Sequence, residues 1–126
     1  MKIIGSSVYI NDFEIDMNKS LEDAVKFTNQ KINNGTLTIE EETSCGCIVW
    51  NISRYESNPY LLGSVLFEKE KGSWRFWTRE EEMYRKKLQD KILETWGIQK
   101  GVVGALVVDN FFDPKGGFSA ISIQKT

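Results

Sequence analysis

The feature that most constrains this chain is its rhythm. Short segments of strand-like alternation follow one another across turn residues, and only two stretches carry a helical period. "VYI-ND-FEI" reads as a hairpin turning at Asn11-Asp12, residues that tolerate the left-handed backbone of a two-residue turn. Its register sets Val8 opposite Ile15, Ile10 opposite Phe13 and Tyr9 opposite Glu14. Ser20 then opens a helix with Asp23 in its first turn. Leu21, Ala24, Val25, Phe27, Thr28 and Ile32 form its apolar stripe, and Gly35 ends it.

Strands follow at "TLTIEEE", at "GCIVWNIS" (with Ile48, Trp50 and Ile52 on one face) and at "YLLGSVLF", which is apolar on both sides as a central strand would be. "SRYESNP" reads as a loop. "EKEKG" turns the chain into "SWRFW", where Trp74 and Phe76 pair with Phe67 and Val65 in the core and Arg75 and Trp77 point the other way. Thr78 and Glu81 form a capping box for the second helix. Met83, Tyr84, Leu88, Ile92, Leu93 and Trp96 are its buried stripe, Arg85, Lys86 and Lys87 are solvated, and Gly97 closes it. "GVVGALVVD" and "FSAISIQ" are the last strands, joined through "NFFDPKGG". The expected order is β-β-α-β-β-β-β-α-β-β. Strands joined by short turns pair antiparallel, so the expected class is α+β: a mostly antiparallel sheet with two helices packed on it.

The 126 residues suit one domain, and a 40% hydrophobic content is enough for a core without disulfides. No apolar run approaches the ~18 residues of a membrane span, and "MKIIGSSVYIND" lacks the apolar region of a signal peptide. The expectation is a soluble, cytoplasmic protein.

The chain contains no histidine, which removes Ser-His, Cys-His and His-metal chemistry. Cys45 and Cys47 share a face if extended, with Cα atoms roughly 6.5–7 Å apart, at or past the usual limit for a bridge. They read as a redox pair or, more simply, as small buried thiols. No cofactor, metal or catalytic residue is expected.

Charge is uneven. Residues 1–60 carry nine acids and five bases, whereas residues 61–126 carry nine acids and eleven bases. An acidic 12–42 region repels phosphate and attracts basic partners. The candidate partner-binding residues are therefore Asp12, Glu14, Asp16, Glu40, Glu41 and Glu42, joined by Arg75 and Trp77 as an interface pair. Trp77 lacks an apolar staple, because the fourth helical position is Glu82. It either packs beneath another element or belongs to a binding surface. The Glu40–Glu42 run reads as a solvated strand end or a docking patch, with Glu41 opposing the other two. "WRFW" with "RKK" suggests stacking on nucleic acid, but the neighbouring glutamates and the low pI argue against it. Phe111-Phe112 is a docking tip or a plug at the sheet end.

The pieces "VYINDFEI", the helix after it and "IVWNISRYESNPYLLGSVLFEKEKGSWRFW" resemble immunity proteins of bacterial contact-dependent growth-inhibition systems. The resemblance implies a small cytosolic protein, often acidic, that binds and blocks a cognate toxin domain, commonly a basic nuclease. The leading expectation is thus a non-catalytic inhibitor of a basic toxin or effector. Alternatives are a protein sequestering a small molecule or nucleotide through Trp77, Arg75, Arg54 and Tyr55, and an enzyme relying on carboxylates alone. Oligomeric state is open.

Overall fold

The computed structural model describes residues 1–24, 36–44, 46–67, 79–98, 101–113 and 118–126. The fold is α+β, with more of the described residues in strands than in helices. It opens on a three-stranded antiparallel meander of β1 (Lys2–Ile4), β2 (Ser7–Ile10) and β3 (Phe13–Asp16). The β2–β3 register is the expected one, and Asn11 (φ 49°) and Asp12 (φ 71°) both take the left-handed conformation that the turn needs. β1 was not anticipated. It pairs with β2 across Gly5-Ser6, where Gly5 has φ 63°.

Ser20 caps α1 (Leu21–Ala24): its Oγ accepts the Asp23 N–H at 3.3 Å. The rest of the expected first helix, including Val25, Phe27, Thr28, Ile32 and Gly35, lies outside the described residues.

Among the described residues the second sheet has six antiparallel strands: β4 (Leu37–Thr43), β5 (Gly46–Tyr55), β6 (Asn58–Phe67), β7 (Gly101–Val103), β8 (Leu106–Asp113) and β9 (Phe118–Lys125). Their order is β4-β5-β6-β9-β8-β7. β6 is an interior strand, as expected. Two boundaries differ from the sequence reading. Five of the seven residues of the "SRYESNP" loop are strand, because β5 and β6, ten residues each, form a hairpin turning at Glu56-Ser57, with Glu56 at φ 58°. "GVVGALVVD" is two strands, since Gly104 (φ 61°) folds β7 back on β8. The order among the described residues is therefore β-β-β-α-β-β-β-α-β-β-β. The expected "SWRFW" strand lies outside them, with Trp74, Phe76 and the Thr78 cap.

A single cluster of buried side chains draws on both sheets and both helices. Ile48, Trp50 and Ile52 all face it, as their alternation requires. Trp50 is a fully buried member of the cluster. Its ring pairs with that of Trp96 at a centroid distance of 6.3 Å, and its register partner on β6 is Gly63. A Cβ at position 63 would lie 2.8 Å from Ile48 Cγ2 and 2.9 Å from the Trp50 ring. Only glycine fits under that indole.

The second helix, α2 (Arg79–Thr95), ends as expected at Gly97 (φ 71°). The Gly97 N–H bonds Glu94 O at 2.9 Å and the Ile98 N–H bonds Leu93 O at 3.0 Å, the paired bonds of a Schellman cap. Its buried stripe is rotated from the expected one. Leu88, Ile92, Leu93 and Trp96 do pack inward, but Met83 and Tyr84 are 64% and 50% exposed. Arg85 and Gln89 are buried in their place.

The cause of the rotation is polar. The Gln89 amide N–H groups point at Asn110 Oδ1 and at the backbone carbonyls of Phe111 and Ala120, while the Gln89 carbonyl accepts the Ser119 hydroxyl. A buried amide satisfied on all sides is compatible with the core, and a hydrophobic pattern cannot register it. Among the described residues no helix is long and apolar enough to cross a membrane.

Replacing Gly63 with Ala is expected to destabilise the fold by about 1–3 kcal/mol through overpacking against Trp50. A urea midpoint unchanged from the parent would show that the indole has room to move.

Candidate functional site

β3 alternates. Ile15 is buried and Phe13 half-buried on the side facing β2's core residues, while Glu14 and Asp16 project from the other side. Each outward carboxylate is held by a neighbour. Glu14 Oε1 accepts the Ser7 hydroxyl at 2.9 Å, and Asp16 Oδ1 accepts the Asn18 N–H at 3.0 Å. Asp12 is exposed at the β2–β3 turn. With Asp23 from the first turn of α1, these groups line a cleft of about 240 Å³ whose other walls are Phe13, Lys19 and Ala24. Four carboxylates thus share the cleft with one lysine. Tyr9 lies across from Glu14, and its hydroxyl is pushed above the ordinary range by burial, then by Glu14 and Asp16.

The Glu40–Glu42 run divides by the same alternation. Glu40 and Glu42 are exposed on the outer face of β4, as expected for that pair. Glu41 is only 5% exposed, so its expected place in a solvated patch is corrected. Its carboxylate accepts the Trp50 Nε1–H at 3.0 Å and meets the α-amino group of Met1. An indole N–H in a core needs an acceptor, and Glu41 supplies it.

Asn11 joins the two acidic segments. Its side-chain amide donates to the backbone carbonyl of Glu40 at 2.5 Å, which sets the Asp12 turn against the middle of β4. Four of the expected partner-binding residues that bracket this contact (Asp12, Glu14, Glu40 and Glu42) are exposed, and Asp16 is half-buried. Arg75 and Trp77 lie outside the described residues.

Strand pairing extends the β4 carboxylates into two rows: Glu40–Val49–Ser64 and Glu42–Cys47–Leu66. Val49 and Cys47 are half-buried and Leu66 is 48% exposed. Burial pushes the Cys47 thiol above its usual range, and the charge and hydrogen bonding of Glu42, then the charge of Glu40, push it further the same way. Cys45 lies outside the described residues.

Other expected constellations come apart. Arg54 pairs with Glu22 of α1 at an exposed site, whereas Tyr55, its neighbour on β5, packs beside Tyr60 with ring centroids 6.3 Å apart. Successive strand residues take opposite faces, so these two do not converge on one ligand. Phe111 and Phe112 are likewise separated: Phe111 is exposed and Phe112 is half-buried. Among the described residues no group of three His, Cys, Asp or Glu side chains is placed to hold a metal ion. Sequence reasoning missed Asn11 as the link, Asp23, Phe13 and Lys19 as cleft walls, and Cys47 and Leu66 as neighbours of the acids. Only Asp23 had a local signal, as an acid in a helix's first turn.

Glu41→Ala is expected to destabilise the fold by about 1–3 kcal/mol, because it strands the Trp50 N–H. Glu40→Ala and Glu42→Ala should stay within about 0.5 kcal/mol. Equal melting curves for all three variants would contradict the division of the triplet. In a Cys45→Ser background, Glu42→Gln should lower the Cys47 pKa and speed its alkylation below the ordinary thiol pKa, because removing a negative neighbour favours the thiolate. An unchanged rate would mean that Glu42 does not act on the thiol.

No family model, curated protein or solved structure matches the chain, so the reading of its function rests on these side chains.

Proposed function

We propose that this is a non-catalytic binding protein that neutralises a basic toxin or effector protein by direct contact, the role implied by its resemblance to immunity proteins. The observation that carries the reading is the Asn11–Glu40 hydrogen bond, which merges two acidic segments into one edge. On that edge Asp12, Glu14, Glu40 and Glu42 are exposed. Clustered charge of one sign raises the encounter rate with an oppositely charged protein and disfavours phosphate-bearing ligands.

The test has two steps. Native mass spectrometry of the protein purified from its own cells should show a complex with a basic protein. Stopped-flow association with that protein should then slow at high salt. It should slow again, by about tenfold or more at low salt, when Asp12, Glu40 and Glu42 are all changed to Lys. Association indifferent to both changes would reduce the acidic edge to a solubilising surface. A small-molecule adduct in place of a protein would favour the sequestering alternative.

A further inference from the structure

We infer that the partner docks across the outer face of β4, β5 and β6 as a cationic segment carrying an apolar side chain, its Lys or Arg groups over Glu40 and Glu42 and its apolar group over Val49 and Leu66. This rests on the function proposed above and names the surface and the partner chemistry that it requires.

The argument begins with register. Glu40 is paired with Val49 and then Ser64, and Glu42 with Cys47 and then Leu66. All six alternate with residues that face the core (Ile39 and Glu41, Ile48 and Trp50, Gly63 and Val65), so they share the opposite face of the sheet. Neighbouring strands lie about 4.8 Å apart, so each row runs about 10 Å from a carboxylate to β6. The two rows differ at β6, where one ends on the hydroxyl of Ser64 and the other on Leu66, which is 48% exposed. The patch has two acids along one margin, an apolar strip beside them and no base within it.

A complementary surface must bring positive charge to the β4 side and an apolar group to the β5–β6 side. The field at the centre of the patch has the sign this requires: beyond the effect of burial, Glu42 and then Glu40 push the Cys47 thiol further up.

Two other modes of docking are disfavoured. A partner strand adding to the β4 edge would need the Glu40 carbonyl as an acceptor, and Asn11 occupies it. The partner therefore lies on the face and not along the edge. A second copy docking by the same patch would bring no positive charge to Glu40 and Glu42, since the six residues of the patch include no base.

The probe is a synthetic peptide alternating Arg with Leu, compared with a peptide of the same composition that segregates its charges at one end. Each is titrated into the full-length ¹⁵N-labelled protein at low salt. The expected result is amide shift changes centred on Val49, Cys47, Ser64 and Leu66, with tighter binding by the alternating peptide. Leu66→Asp should weaken that binding by about tenfold or more, as loss of an interface anchor does. The isosteric pair Glu40→Gln with Glu42→Gln should weaken it while preserving the fold, as judged by an otherwise unchanged spectrum.

Shifts confined to the cleft of Asp12, Glu14, Asp16 and Asp23 would overturn the inference and leave the proposed function standing on that cleft. Equal binding by both peptides, or indifference to Leu66→Asp, would also overturn it. No response to either peptide would count against both the surface and the basic-partner reading. Concentration-dependent self-association of the unmodified protein that masks the same amides would replace the partner with a second copy.

Discussion

The indole of Trp50 is the contact on which the rest of the architecture depends. Its strand is paired on one side with β4 and on the other with β6. β4 supplies the Glu41 carboxylate for the indole N–H, and β6 supplies Gly63, whose missing side chain makes room for the ring. Trp96, the residue after α2, packs against it. One side chain therefore fixes an acid on the edge strand, a glycine on the interior strand and the end of a helix. A large aromatic with a polar handle is suited to this, because burying the ring and satisfying the N–H are separate requirements that different elements can meet. The Glu41 contact also places the β4 register. With Glu41 turned inward to the indole, Glu40 and Glu42 must turn outward.

That coupling links core packing to the surface chemistry. A slip of β4 by one residue would bury Glu40 and Glu42 and expose Leu37, Ile39 and Glu41. The outward position of the two acids is thus set by a contact inside the protein. The meander adds a second constraint, since Asn11 can reach the Glu40 carbonyl only if the β2–β3 turn keeps its left-handed pair at Asn11 and Asp12. Ser7 and Asn18 hold Glu14 and Asp16 in turn. A carboxylate already held by a neighbour surrenders less side-chain freedom when a cation arrives, which favours binding over mere solubility.

Local signals carried much of the fold into the sequence. The β2–β3 register followed from Asn11-Asp12 and four apolar positions. The Ser20 cap, the Gly97 stop and the shared face of Ile48, Trp50 and Ile52 needed nothing beyond their own segments. The misreadings arose where a distant partner decided the outcome. Gln89 and Arg85 face inward although both are polar, because β8 and β9 offer Gln89 carbonyls and a serine that no helical pattern reveals. Met83 and Tyr84 turn outward as a consequence. Gly104 reads as a strand residue in "GVVGALVVD" because apolar residues flank it, and only its left-handed backbone marks the turn. The site was legible in composition and alternation: acids at 12–42, with Glu41 opposite its neighbours. That Glu41 belonged to Trp50, and that Asn11 would join the hairpin to β4, are contacts between segments about 30 residues apart or between adjacent strands, where single-segment patterns have no reach.

The distribution of charge has one more physical consequence. Like charges gathered on one edge repel each other and oppose folding. In this protein the acids of the meander and of β4 lie side by side with Lys19 the one base in their cleft, whereas α2 mixes the bases Lys86, Lys87 and Lys91 with the acids Asp90 and Glu94. A chain under selection for stability alone would intersperse them, since mixed surface charge avoids that repulsion. The acids are instead kept together by hydrogen bonds that position them, and the neighbouring sheet face leaves Leu66 in solvent beside them. Segregated charge next to exposed apolar surface is what a steered and then desolvated contact requires. Under the proposed function, charge would bring the partner to the edge over a distance set by the ionic strength, and burial of the apolar strip would then retain it. The two terms act at different stages, so salt should govern arrival far more than departure.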